Sequence, residues 1–101
     1  MSADLNLSER EEQLAALGRH YLEMLAPGLE FGVEALPDEH AVYVWQLGFG
    51  GSQIIVGEDE SVLFGTSALW RDPMIEIWRT GKRTPAADFA AAAAAAQRDE
   101  Q

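Results

Sequence analysis

Cysteine is absent from this chain, histidine occurs twice, and seven Lys or Arg stand against 17 Asp or Glu. Each shortage closes off a class of chemistry. Without cysteine there is no disulfide framework, no thiolate nucleophile and no sulfur ligand for a metal. His20 and His40 lack any His-x-x-x-His or Glu-x-x-His spacing, so they form no metal or general-base motif. Seven cations in 101 residues are too few for the phosphate contacts of nonspecific nucleic-acid binding. No apolar run approaches the roughly 18 residues of a membrane span. The opening "MSADLNLSEREEQ" has no basic start and no apolar stretch, so it carries no secretory signal. The expectation is a cytoplasmic bacterial protein that binds neither nucleic acid nor membrane.

What is present is an uneven charge. The formal net charge is −10. Between Pro27 and Leu69 there are acids (Glu30, Glu34, Asp38, Glu39, Glu58, Asp59, Glu60) and no Lys or Arg. Between Trp70 and Thr84 the balance reverses, with Arg71, Arg79, Lys82 and Arg83 against Asp72 and Glu76. Such a field bears on solubility and partner choice, not on fold.

Periodicity predicts an α+β domain. Ser8 and Glu11 form a capping box, and Leu14, Leu17, Tyr21, Met24 and Leu25 follow as a helical stripe ended by Pro27-Gly28. Gly18 lies on that stripe, where a missing side chain lets the backbone approach a neighbour. Leu29, Phe31, Val33 and Ala35 alternate with Glu30, Gly32 and Glu34, a strand with one wet face, and Pro37-Asp38-Glu39 turns the chain. "HAVYVWQL" is a strand apolar on both sides, as in a central strand or one whose outer face meets a partner. "SQIIVG" and "SVLFG" make a hairpin about Glu58-Asp59-Glu60. Asp72 with Pro73 opens a second helix, carrying Met74, Ile77 and Trp78, and Gly81 suits its left-handed cap. Thr84-Pro85 leads into an alanine-rich helix.

The expected organisation is a flexible start over 1–7, one domain over 8–84, and an Ala-rich C-terminal helix over 85–101 that frays. Four successive strands predict an antiparallel meander, with the first helix and the Trp78 helix across one face.

The glycine-rich stretch from Gly48 to Gly65 is the place to look for a site. A phosphate loop needs its glycines between a strand and a helix, but "SQIIV" follows Gly50-Gly51. "GEDES" lacks the alternate oxygen ligands of a calcium loop. Gly51-Ser52-Gln53 and Gly65-Thr66-Ser67 lack the nucleophile elbow, and Glu76 stands where a Walker loop before Gly81-Lys82 needs glycine. No catalytic residue, metal ligand or cofactor site emerges. Two features suit protein binding. Tyr43 and Trp45 share one side of a strand and are hot-spot residue types, unless they pack under a helix. Glu30, Glu34, Glu58, Asp59 and Glu60 form a field that steers a basic partner, unless they are a solvated surface.

The segment "GGSQIIVGEDESVLFGTSALWRDPMIEIWRTGKRTP" resembles the C-terminal half of small bacterial immunity proteins, the YrhB-like and immunity-35-like group. The glycine-led strand, the acidic hairpin turn, the small polar "TS" and the helix ending in "RTGKRTP" carry the likeness, which covers about residues 29–85. It implies neutralisation of a cognate toxin by tight binding, without cofactor, by a monomer or homodimer. Two alternatives remain: a type III-like secretion chaperone holding an effector segment, and a small-ligand or enzymatic domain with an unrecognised pocket.

Overall fold

The computed structural model describes residues 7–25, 28–47, 52–66 and 70–85. Residues 1–6 of the expected flexible start, the glycines at 48, 50 and 51, and the alanine-rich helix beyond Pro85 lie outside the described residues. Helix α1 spans Glu9–Leu25. Strands β1 (Glu30–Leu36), β2 (Ala41–Leu47), β3 (Ser52–Gly57) and β4 (Val62–Thr66) precede helix α2 (Arg71–Arg79). The strands pair in chain order, all antiparallel, as the meander reading expects.

The placement of the helices departs from that reading. They lie on opposite faces of the sheet. Val42, Val44, Ile54, Val56 and Val62 pack against Leu14, Ala15 and Leu22 of α1. Ala41, Tyr43, Ile55 and Leu63 pack with Leu36 against Met74, Ile75 and Trp78 of α2. The reason is already in β2 and β3, whose alternate residues are apolar on both sides, so one helix layer would leave a hydrophobic face in water. Burial of one Val, Leu or Ile side chain is worth roughly 1.5–3 kcal/mol, which outweighs any local preference for where α2 should settle.

The capping box forms as predicted. The Glu11 N–H donates to Ser8 Oγ at 3.0 Å, and the Ser8 N–H donates to Glu11 Oε1 at 2.8 Å. The buried line of α1 is centred on Leu14, Ala15, Gly18 and Leu22, with Leu17 and Tyr21 at its margin. Gly18 faces the sheet so closely that a Cβ would lie 3.0 Å from Val44 Cγ2 and 3.2 Å from the Cγ2 atoms of Ile54 and Val56. At the other end of β2, Gln46 donates to the Leu22 carbonyl at 3.2 Å and accepts from the Ser52 N–H at 3.0 Å. One buried amide therefore satisfies a terminal helix carbonyl and ties down the start of β3.

Helix α2 begins two residues earlier than the Asp72 cap predicts. Trp70 precedes it in extended conformation with no side-chain cap, and the Met74 N–H donates to the Trp70 carbonyl at 3.1 Å. Pro73 still falls within the first turn, where its missing N–H costs nothing, while Asp72 accepts from Arg71 instead of capping. The far end follows expectation. Gly81 adopts φ +92 and its N–H donates to the Trp78 carbonyl at 3.0 Å.

That left-handed residue reverses the chain along β4. Thr84 donates its N–H to the Val62 carbonyl at 2.7 Å, and its Oγ1 accepts from the Phe64 N–H at 2.9 Å. On the way, the Arg83 guanidinium lies 3.3 Å from the centre of the Trp78 ring. The indole also leaves no room at Gly57, where a Cβ would come within 2.9 Å of the ring. Arg83 Nη1 also donates to the Trp78 carbonyl at 2.9 Å, and Nε to Ser61 Oγ at 3.1 Å. Burial pushes the Arg83 proton affinity down, although the nearby Asp59 charge acts against it.

A Gly18→Leu variant should lose about 1–3 kcal/mol through overpacking against Val44, Ile54 and Val56. The urea midpoint of unfolding reads this loss, and an unchanged midpoint would show that α1 does not sit at this distance from the sheet.

Candidate interaction surface

Between the outer edge of β1 and α2 lies a cleft of about 410 Å³. Its charged lining is Glu34, Asp38, Glu39, Asp72 and Glu76 against Arg71 and Arg79, five carboxylates to two guanidinium groups and so a net charge of −3. Arg71 forks onto Glu34 through Nε to Oε1 at 2.8 Å and Nη2 to Oε2 at 2.5 Å, and reaches Asp72 at 2.7 Å. One turn pair further along α2, Arg79 joins Glu39 at 2.8 Å and Glu76 at 2.9 Å. The hydrogen bond to Glu34 raises the Arg71 proton affinity, and that to Glu39 does the same for Arg79. The Glu39 side chain is only 9% exposed, whereas the pairs with Glu34, Asp72 and Glu76 are exposed and contribute about 0–1 kcal/mol each. Their use is geometric: two arginines about 12 Å apart along the helix bracket the cleft and set the angle of α2 against β1.

Both hairpin turns at this end of the sheet are acidic. Pro37–Glu39 is a single 3-10 turn, and β3 and β4 are joined through Glu58, Asp59 and Glu60. The turns are tied together, since the Glu58 N–H donates to the His40 carbonyl at 3.0 Å. Arg10 of α1 reaches over, donating to the Glu58 carbonyl at 2.6 Å and to Glu60 Oε2 at 3.3 Å. Asp59 Oδ1 accepts from the Ser61 hydroxyl at 2.7 Å and the Ser61 N–H at 3.1 Å. The hydroxyl bond first, and the backbone bond after it, hold the Asp59 carboxyl below its ordinary value. His40 (φ 52) and Glu60 (φ 68) are both left-handed without being glycine.

These positions divide the residues that sequence reasoning selected. Glu58, Asp59 and Glu60 are exposed together on the β3–β4 turn. Glu34 is half-buried in its fork with Arg71, and Glu30 is exposed at the other end of β1, about 20 Å from Leu36 at a strand rise of roughly 3.3 Å. Tyr43 is 7% exposed and belongs to the α2 core. Its hydroxyl donates to Gln53 Oε1, and burial pushes its pKa up. Trp45 is half-buried, stacked on Tyr43 with centroids 5.2 Å apart, and lies over Gly32, where a Cβ would meet the ring at 2.1 Å.

Trp70 escaped sequence reasoning and is 79% exposed, next to Arg71. Its signal was available, for it has no periodic partner and sits just ahead of a helix. The pairing of Glu34 and Glu39 with the arginines of α2 had no such signal, because it joins residues 37 and 40 positions apart. Among the described residues, no three of His, Cys, Asp and Glu are grouped to hold a metal ion. No helix among them is long and apolar enough to cross a membrane. No protein-family model matches the chain, and neither the curated proteins nor the solved structures provide a match.

Glu60→Gly should raise stability by about 0.5–1 kcal/mol, the left-handed cost of roughly 1–2 kcal/mol less the extra entropy glycine loses. Thermal unfolding tests this, and a drop would mean that the Arg10 contact outweighs the backbone cost. A second expectation concerns acid. The folded Asp59 has a lowered pKa, so its contribution is complete above the ordinary value of 3.8 and is lost as pH falls through the folded value. Asp59→Asn keeps an acceptor that does not titrate, so its stability should fall less than wild type in chemical denaturation series taken from pH 5 to strongly acid solution.

Proposed function

We propose that this chain is a small acidic protein-binding domain that neutralises a basic partner by tight binding, in the manner of an immunity protein or antitoxin, without catalysis of its own. One observation carries the reading: four arginines are spent on internal ties while the carboxylates of both turns collect at one end of the sheet. Arg10, Arg71 and Arg79 pair with acids of their own chain, and Arg83 lies on Trp78. Glu39 and Glu60 are taken up in these ties, and Asp38, Glu58 and Asp59 stand exposed at the same end outside them. A field of one sign at one end of a small domain speeds encounter with an oppositely charged protein and disfavours partners of like charge. The left-handed His40 and Glu60 belong to this same end, and backbone strain of this kind clusters where function requires it. The exposed Trp70, at the opposite end of α2 from the turns, supplies an aromatic anchor of the hot-spot type.

The identity of such a partner is a matter for affinity capture from the native host, followed by mass spectrometry of what survives a modest salt wash. A single basic protein retained in stoichiometric amount is the expected result. The double variant Glu58→Lys, Asp59→Lys should then associate with that protein about ten-fold more slowly at low salt, with a flatter salt dependence, in surface-based kinetics. Association at the wild-type rate at low salt would sink the steering role of this turn.

A further inference from the structure

The two edges of the sheet are treated differently. The outer edge of β4 is occupied by the chain itself, through the Thr84–Val62 and Phe64–Thr84 hydrogen bonds. No described residue pairs with the outer edge of β1. An edge strand of seven residues presents N–H and C=O groups outward at every second position, a template for another strand.

The helices leave that edge accessible on both faces. Helix α1 lies over β2 and β3 and touches β1 little. Its core beneath leaves Phe31 and Val33 half-buried. Beside Val33 lies a second cleft of about 330 Å³, lined by Leu7, Ala15, Glu12 and Arg19. On the opposite face lies the acidic cleft of about 410 Å³ between β1 and α2. A strand laid along β1 would therefore send alternate side chains into two clefts of different character. One carries one acid and one base among apolar residues. The other has an excess of three negative charges.

Charge decides what that strand is. A second copy of this chain brings its own Glu30 and Glu34 against the same residues of its partner, on a protein of net charge −10. Acids along an edge strand repel such self-pairing. The same residues favour a segment with cationic side chains at alternate positions.

We infer that the free edge of β1 takes up an extended segment of the basic partner as a fifth strand, with cations directed into the Glu34–Glu76 cleft and apolar residues beside Val33. This rests on the partner-binding reading above and adds how the partner is held. Backbone pairing supplies affinity, and the two clefts supply a period-two specificity.

The test uses the full chain and two peptides of identical composition, one alternating lysine and valine, the other with the same residues in two blocks. Binding is followed by amide spectra and hydrogen exchange of the labelled protein. The alternating peptide should bind about ten-fold more tightly than the block peptide, as expected for register-dependent pairing. It should also slow exchange of the outward amides within 30–36, those not bonded to β2. A version methylated on alternate backbone nitrogens should lose that protection. Equal binding of both peptides, with shifts confined to residues 58–60, would overturn strand addition while leaving the acidic partner surface intact. Absence of binding by either peptide would overturn strand addition, and the charge-reversal kinetics above then judge the partner reading separately. Outward amides of 30–36, those not bonded to β2, already protected without peptide, or a dimer in sedimentation, would also overturn it, because the edge would then be taken.

Discussion

Val42, Val44, Ile54 and Val56 on one side of β2 and β3, and Tyr43 and Ile55 on the other, leave these strands no side that water can wet. Everything else in the architecture answers that demand. Helix α1 approaches one face closely enough to need glycine at 18. Helix α2 closes the other face with Met74, Ile75 and Trp78. The polar residues within the buried strands are used as fasteners, Gln46 to the end of α1 and Gln53 to the Tyr43 hydroxyl.

The second helix is short, and a helix of nine residues has little stability by itself. Its position is held from several directions. Trp78 fits against Gly57 and under Arg83, while Arg71 and Arg79 tie its two ends to β1 and to the following turn. These ties consume the arginines of the basic segment. The surplus acids are left outward, at the end where the two hairpin turns meet. The charge field is thus a by-product of how α2 is anchored as well as of composition.

The same anchoring gives the sheet one closed edge and one open edge. Gly81 permits the reversal that lays Thr84 along β4, and no equivalent return covers β1 among the described residues. On the proposed reading, binding has two physical components: long-range attraction from the turns and short-range pairing at the strand edge. An immunity-type domain needs both speed of encounter and slow release, and these come from different parts of a surface. An extended effector segment held by a secretion chaperone would use the same edge, and the free β1 is what favours that second reading.

Much of this was legible in the residues. The capping box, the four strands, the acidic turn and the left-handed Gly81 each depend on neighbours within a few positions, and local sequence determines them. The hairpin meander also follows from short connections. What sequence did not decide is which face each helix covers, because periodicity shows that a face is apolar and not what lies upon it. The same limit left Tyr43 and Trp45 open between core and interface, until α2 covered the first and left the second at its margin. Trp70 could be noticed but not placed. The pairing of Glu34 with Arg71 and of Glu39 with Arg79, and the open edge of β1, exist only once distant segments meet. Sequence determined the elements and the sign of the charge; tertiary packing alone decided where that charge stands, because burial of two apolar sheet faces fixes the helices and the helices choose their ion partners.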